Sequence, residues 1–208
     1  IDPAVHLGAE LRQFHGTVRT SRQRKVMVSE ACEYMNSFLQ FFSTTAAVLN
    51  IDYDHVDCFA SLDAVIRSFA LFADLLPDNG ILVIPDADPN VAQMLSLLEA
   101  SRLQSGRPMP RLTTFGIEDY VSAPAGKTEV TSTYTCRNLT YELGMPRFDI
   151  WHNSQPACHV DLQVPGRHNV LNALAAVACA HENGADFSSA ARVLNSYQGA
   201  EGRFTNIG

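Results

Sequence analysis

The sequence is poor in several things that would have fixed its class at once. It has no Lys/Arg cluster longer than the "RQRK" at 22–25, and its formal net charge is −7. That excess of acid argues against nonspecific nucleic-acid binding, and the four-residue basic run reads as a solvated turn. No apolar run is long enough to span a bilayer and no signal peptide is visible, so a cytoplasmic protein without membrane insertion is expected. Cysteines 32, 58, 136, 158 and 179 are odd in number and include no CxxC spacing. This excludes a disulfide framework and a cysteine zinc site, and fits a reducing compartment. No repeat or low-complexity stretch interrupts the 208 residues. Nothing in the composition sets the oligomeric state.

What is present is an α/β pattern. "KVMVS" (25–29), "AAVLNI" (46–51) and "ILVIP" (81–85) are β-rich and apolar without period-2 alternation, as in strands covered on both faces. Between the last two, Ser61 is placed to cap a helix whose apolar residues recur at 62, 65, 66, 69, 72, 73 and 76, ending at Pro77 and Gly80. Asp88 and Pro89 open a second helix as cap and first residue. Residues 1–24 contain no convincing strand. The spacing predicts a mostly parallel sheet flanked by helices over 1–126.

From Lys127 to Val164 the pattern alternates polar and apolar, which predicts a small antiparallel hairpin subsheet. Val160, Leu162 and Val164 are expected on one face, with His159, Asp161 and Gln163 on the other. Residues 165–208 return to helix, with Gly184 and Gly199 as stops.

Chemistry is expected where strands end. In an open α/β sheet, ligands bind beyond the carboxyl ends of the strands. "KVMVS" runs into Glu30, "AAVLNI" into Asp52, Asp54 and His55, and "ILVIP" into Asp86 and Asp88. In a parallel sheet these groups converge on one edge. A carboxylate and an imidazole there can share a divalent cation, so Glu30 and His55 are candidate ligands. The plainer reading is that strand-end acids cap helices or face solvent, with Asp54 and Asp57 orienting His55 or capping the next turn. His6, His15, His152, His159 and His181 have no companion pattern and read as surface or structural. In "VPGRHNVLNALAA" a small-residue helix begins near Asn169, with Asn169 and Asn172 on one face. Their amides could match the donor and acceptor edge of adenine, or Asn169 could serve only as an N-cap.

The blocks "SEACEYMNSFLQF", "AVLNIDYDHVDCF", "VPGRHNVLNALAAVA" and "GAEGRF", taken in order, resemble the Mur ligase family, and within it the alanine-adding branch. "NIDYDHVD" alone is shared with the folylpolyglutamate synthases. The resemblance implies the central ATP-binding domain of a three-domain enzyme, with a P-loop NTPase-like fold, and a chain that is a segment of a longer protein. It implies ATP-driven amide formation between UDP-N-acetylmuramate and L-alanine through an acyl phosphate, with Mg2+ or Mn2+ in attendance. By resemblance, Glu30 and His55 are the metal-binding and catalytic pair, His168, Asn169 and Asn172 lie on the adenine side, and Arg203 approaches the phosphates. The departures are also clear. The family's Gly-rich P-loop is absent, so the 208 residues alone are expected to bind ATP weakly and not to turn over. Phe69 and Ala70 stand where other members carry a carbamylated lysine, and Gly202 where the branch often has a second basic residue. A paralogue that attaches a recycled peptide to the same sugar stays open. So do a metal-dependent hydrolase using His55 with Asp52, Asp54 or Asp57, and a nucleotide-binding module without catalysis.

Overall fold

The computed structural model describes residues 1–11, 13, 15–118 and 132–199. Its centre is a six-stranded sheet in the order β4-β5-β6-β7-β8-β9. The strands are β4 (Thr45–Ala47), β5 (Ile81–Pro85), β6 (Arg111–Ile117), β7 (Tyr134–Glu142), β8 (Met145–His152) and β9 (Gln155–Asp161). Pairings β4–β5, β5–β6 and β6–β7 are parallel, whereas β7–β8 and β8–β9 are antiparallel. The hairpins therefore extend the parallel sheet, and β7 belongs to both halves. Residues 119–131, where part of the first hairpin was expected, lie outside the described residues.

Helices α1 (Leu62–Asp74), α2 (Pro89–Ser105), α3 (Arg167–Glu182) and α4 (Phe187–Ser196) cover the sheet. The two faces are visible within β5. Leu82 and Ile84 pack with Val65, Phe72, Met94 and Leu98 of α1 and α2. Val83, between them, packs with Phe115, Val170, Leu174 and Val177 on the α3 side. A strand buried on both faces has no polar positions to alternate, which is why "ILVIP" reads as a continuous apolar run. The expected caps are in place: Ser61 Oγ accepts from the Ala64 N–H at 3.2 Å, and Asp88 Oδ1 accepts from Asn90 and Val91 N–H at 2.8 and 3.0 Å.

Two expectations are corrected. The stretch 1–24 does hold strands, β1 (Ala4–Leu11) and β2 (Gly16–Arg19). "KVMVS" contributes only β3 (Met27–Ser29), which pairs with β1 in a separate three-stranded sheet, β2-β1-β3. Here β1–β2 is antiparallel and β1–β3 parallel. The burial pattern of β1 alternates rather than running apolar throughout, so a search for doubly covered strands passes over it.

The hairpin faces are as the alternation predicts: Val160, Leu162 and Val164 are buried and His159 is exposed. The β8–β9 turn is made by Asn153 and Ser154, both with positive φ, the two-residue geometry that matches strand twist. On the exposed face His159 sits between two carboxylates, Nδ1 to Asp149 at 2.7 Å and Nε2 to Asp161 at 3.3 Å, while Arg147 also reaches Asp161. The Asp149 hydrogen bond, with Asp161 behind it, holds the imidazole above its ordinary pKa. A raised folded-state value means that the pair stabilises fully below the unfolded imidazole pKa of about 6.5 and is lost as pH rises through the folded value. An NMR titration should give His159 a midpoint above that of a free histidine, and Asp149→Asn should move it down. An ordinary midpoint in the unaltered chain would show that the pair is not formed.

Candidate functional site

The chain leaves β4 through Val48, whose N–H still bonds to Val83 O, and reaches the "NIDYDHVD" segment beyond the carboxyl end of the sheet. Asn90, in the first turn of α2, donates to Ile51 O at 2.7 Å and anchors the start of that segment. His55 has φ +51°, in the left-handed region that non-glycine residues enter at some cost. Its backbone is held there on both sides. The N–H donates to Asp54 Oδ1 at 2.7 Å, and the carbonyl accepts from Cys58 and Phe59 N–H at 2.7 and 3.0 Å. Asp54 thus orients His55, as one of the sequence readings proposed.

The carboxylate beside His55 is Glu33. Its Oε1 lies 3.4 Å from His55 Nε2, and the two side chains are 31% and 33% exposed. The ring of Tyr34 meets the imidazole edge-on at 5.2 Å between centroids, and its hydroxyl donates to Asp57 at 3.2 Å. Glu33 arrives through a 3-10 segment, Tyr34–Gln40, in which Met35 and Asn36 are left-handed. Three contacts fix that segment: Met35 N–H to Cys58 Sγ, Ser68 Oγ to Asn36 Oδ1, and the buried Phe38 ring stacked on Phe72 at 4.8 Å. Phe69 packs edge-on against the same ring, at 5.2 Å between centroids.

Glu30 has other partners. Its carboxylate accepts the Gly8 N–H at 2.7 Å, and its own N–H donates to His6 O at 2.9 Å, which ties it to the small sheet. A Cβ on Gly8 would sit 3.1 Å from Glu30 Oε2, so the glycine leaves room for this contact. Among the described residues, no ion pair joins Glu30 to His55. The strand-end acids after β5 are likewise occupied. Asp86 accepts from Ser132 and presses on Gly116, while Asp88 caps α2. Asp52 accepts from Asn50 at 2.7 Å. Among the described residues, Glu33 is the carboxylate that pairs with His55.

The second constellation sits at the start of α3. The cap position is Gly166, with φ +99° and no side-chain cap, so the helix begins earlier than expected and Asn169 is not its cap. Asn169 Nδ2 donates back to Pro165 O at 2.7 Å, and Asn172 Nδ2 lies 3.5 Å from Asn169 Oδ1. Asn172 and His168 are exposed. A Cβ on Gly166 would lie 2.6 Å from the His168 ring, so the glycine admits the imidazole against the backbone. Arg203 and Gly202 lie outside the described residues.

Comparison with known proteins gives this geometry its context. The family model for the Mur ligase middle domain matches residues 16–180. The chain belongs to the Mur ligase family. A UDP-N-acetylmuramate–L-alanine ligase of Caldanaerobacter subterraneus subsp. tengcongensis is 32% identical over 98% of this chain and 40% of its own length. The corresponding ligase of Acetivibrio thermocellus is 31% identical over 98% of the chain and 39% of its length. The chain thus spans about 40% of the curated relatives it matches. Among solved structures, the UDP-N-acetylmuramate–alanine ligase of Thermotoga maritima superposes with a TM-score of 0.72 at 22% identity, covering 98% of this chain and 40% of that one. That likeness concerns the fold, which is the Mur ligase α/β type: the mostly parallel sheet with its helices, beside the small three-stranded sheet. No described helix is long and apolar enough to cross a membrane.

Proposed function

We propose that this chain is the nucleotide- and metal-handling domain of an ATP-dependent ligase that joins L-alanine to UDP-N-acetylmuramate. The observation that carries this reading is the Glu33–His55 pair, presented beyond the carboxyl end of β4 in a Mur-type sheet. The identity of about a third to alanine-adding relatives across nearly the whole chain supports the substrate assignment.

The donor set fits a divalent cation. A carboxylate oxygen and an imidazole nitrogen 3.4 Å apart are spaced as neighbouring ligands on one ion with bonds of about 2.0–2.2 Å. Mg2+ or Mn2+ bound there would screen the repulsion between an attacking carboxylate and the ATP phosphates. The protein's own part is to hold the two donors in place before nucleotide arrives. Asp54 and the Cys58 and Phe59 amides set the His55 backbone, Tyr34 packs its ring, and the 3-10 segment delivers Glu33. Such preorganised electrostatics is the main resource of phosphoryl transfer.

In the reaction the muramate carboxylate attacks the γ-phosphorus and ADP leaves. The alanine amine then attacks the acyl carbon, phosphate leaves and the nitrogen gives up a proton. The adenine side is assigned to His168, Asn169 and Asn172 at the start of α3, and a phosphate contact to Arg203.

The test is an assay of the full-length protein carrying this domain with ATP, UDP-N-acetylmuramate and L-alanine. ADP, phosphate and the alanyl product should form in equal amounts, with L-alanine preferred to an L-alanyl peptide. Preference for the peptide would assign the protein to the recycling paralogue. ATP hydrolysis without amide formation would overturn the ligase reading.

A further inference from the structure

At the opposite end of the parallel strands, two histidines that sequence reading left without partners meet a carboxylate. His152 ends β8, and His181 and Glu182 end α3. One ligand atom from each lies within 4.8 Å of the others, and all three residues are half-buried. Asn183, the next residue, donates to Thr45 Oγ1 at the start of β4, and Glu182 pairs with Arg111 at the start of β6. This is the amino end of the parallel strands, remote from the carboxyl end that carries His55. The cluster has no part in the chemistry proposed above.

We propose that His152, His181 and Glu182 form a second metal site, for a borderline divalent ion of the Zn2+ type, which cross-links β8 to the end of α3. Two imidazoles and one carboxylate are a donor set suited to zinc, with a further position left for water. A tetrahedral ion with bonds of about 2.0–2.2 Å sets its ligands about 3.4 Å apart, so closing from 4.8 Å asks for side-chain rotation and no change of fold.

The surroundings are those of a built site. The His181 ring stacks on Phe187 at 4.1 Å between centroids, with planes 18° apart, and meets the His152 ring at 4.8 Å. The hydroxyl of fully buried Tyr134 lies 2.8 Å from His181 Nδ1 and 3.3 Å from Glu182 Oε1. Tyr134 has one proton. Given to the carboxylate, it leaves the phenol oxygen to accept from Nδ1–H, and the lone pair of His181 is then on Nε2. A ligating histidine is commonly oriented by such a bond from its other nitrogen. The hydrogen bond described for His152 is to the exposed Asn153 amide at 3.2 Å, which an ion can displace. Glu182 already holds Arg111, and Thr113 lies 3.4 Å from its Oε1, but a carboxylate has about four lone-pair sites and can keep these contacts while binding metal.

The test is a Zn2+ titration of the 208-residue chain by calorimetry, with His55→Ala present throughout to silence the first site. One Zn2+ per chain is expected. His152→Gln, His181→Gln and Glu182→Gln should each weaken binding at least about tenfold, and His159→Gln, on the exposed hairpin face, should not. Zn2+ should also raise the thermal midpoint of the His55→Ala chain and fail to raise it in the first three variants. Far-UV circular dichroism identifies any variant that has not folded. His152→Gln, at a half-buried strand end, and Glu182→Gln give independent readings if His181→Gln fails. Absence of binding up to about 100 µM Zn2+, far above the range of protein zinc sites, or equal weakening by His159→Gln, would overturn the assignment.

Discussion

Glu33→Gln and His55→Ala, each made in a full-length protein carrying this domain, should lower kcat for amide formation by about 10²-fold or more, while Glu30→Gln leaves it near the starting value. The asymmetry follows from placement. Glu33 lies 3.4 Å from His55 Nε2, and removing either group takes one donor from a paired site. Glu30 accepts a backbone N–H from Gly8, and glutamine accepts the same bond, so that substitution preserves the contact to the small sheet and leaves the Glu33–His55 pair intact. A second signature separates a metal role from a structural one. Raising Mg2+ or Mn2+ should partly restore Glu33→Gln, since a weakened site refills at higher ion concentration. A rate loss from Glu30→Gln as large as that from Glu33→Gln would return the metal role to the strand-end acid.

Arg102→Ala should destabilise the 208-residue chain by about 3–5 kcal/mol, read from urea unfolding followed by circular dichroism. The side chain is 1% exposed and ion-paired to Asp74 at 2.5 Å. It donates to Asp74 O and Leu76 O at 2.9 and 2.6 Å. These carbonyls belong to the end of α1, where a helix lacks internal donors. Arg107 reaches the same two oxygens at 3.1 and 2.8 Å and is partly exposed. Arg107→Ala alone should therefore cost only about 1 kcal/mol, because its ion pairs are solvated and Arg102 still serves the carbonyls. The double variant should lose more than the sum, since only then are both carbonyls left without a guanidinium. Strict additivity would mean that the two arginines do not share this task.

The contrast between Arg102 and β5 shows what the sequence disclosed and what it withheld. Apolar runs, Ser61 and Asp88 are local signals, and the elements they mark form where expected. Arg102 reads as the charged end of an amphipathic helix; that it is buried depends on α1 and on the loop before β6 folding over it. The small sheet is hard to read because β2 and β3 are only four and three residues long, β1 is half-exposed, and β3 pairs with β1 although β2 lies between them in sequence. His55 was legible because three acids and an imidazole follow a buried strand. Glu33 was not, although it stands three residues after Glu30, because acids were assigned to strand ends. What turns Glu33 toward His55 is a 3-10 segment with left-handed Met35 and Asn36, held by Ser68, Phe72 and Cys58, contacts that exist only once α1 has packed. His152 and His181 meet for the same kind of reason, a strand end and a helix end that sequence separation hides.

The most direct test is a crystal of the full-length protein grown with Mn2+ and a non-hydrolysable ATP analogue, with diffraction recorded at the manganese absorption edge. The account predicts an anomalous difference peak bonded to Glu33 and His55 Nε2, with phosphate oxygens completing the shell. A manganese peak beside nucleotide phosphates but away from this pair, on Glu30 or on other residues, would contradict it.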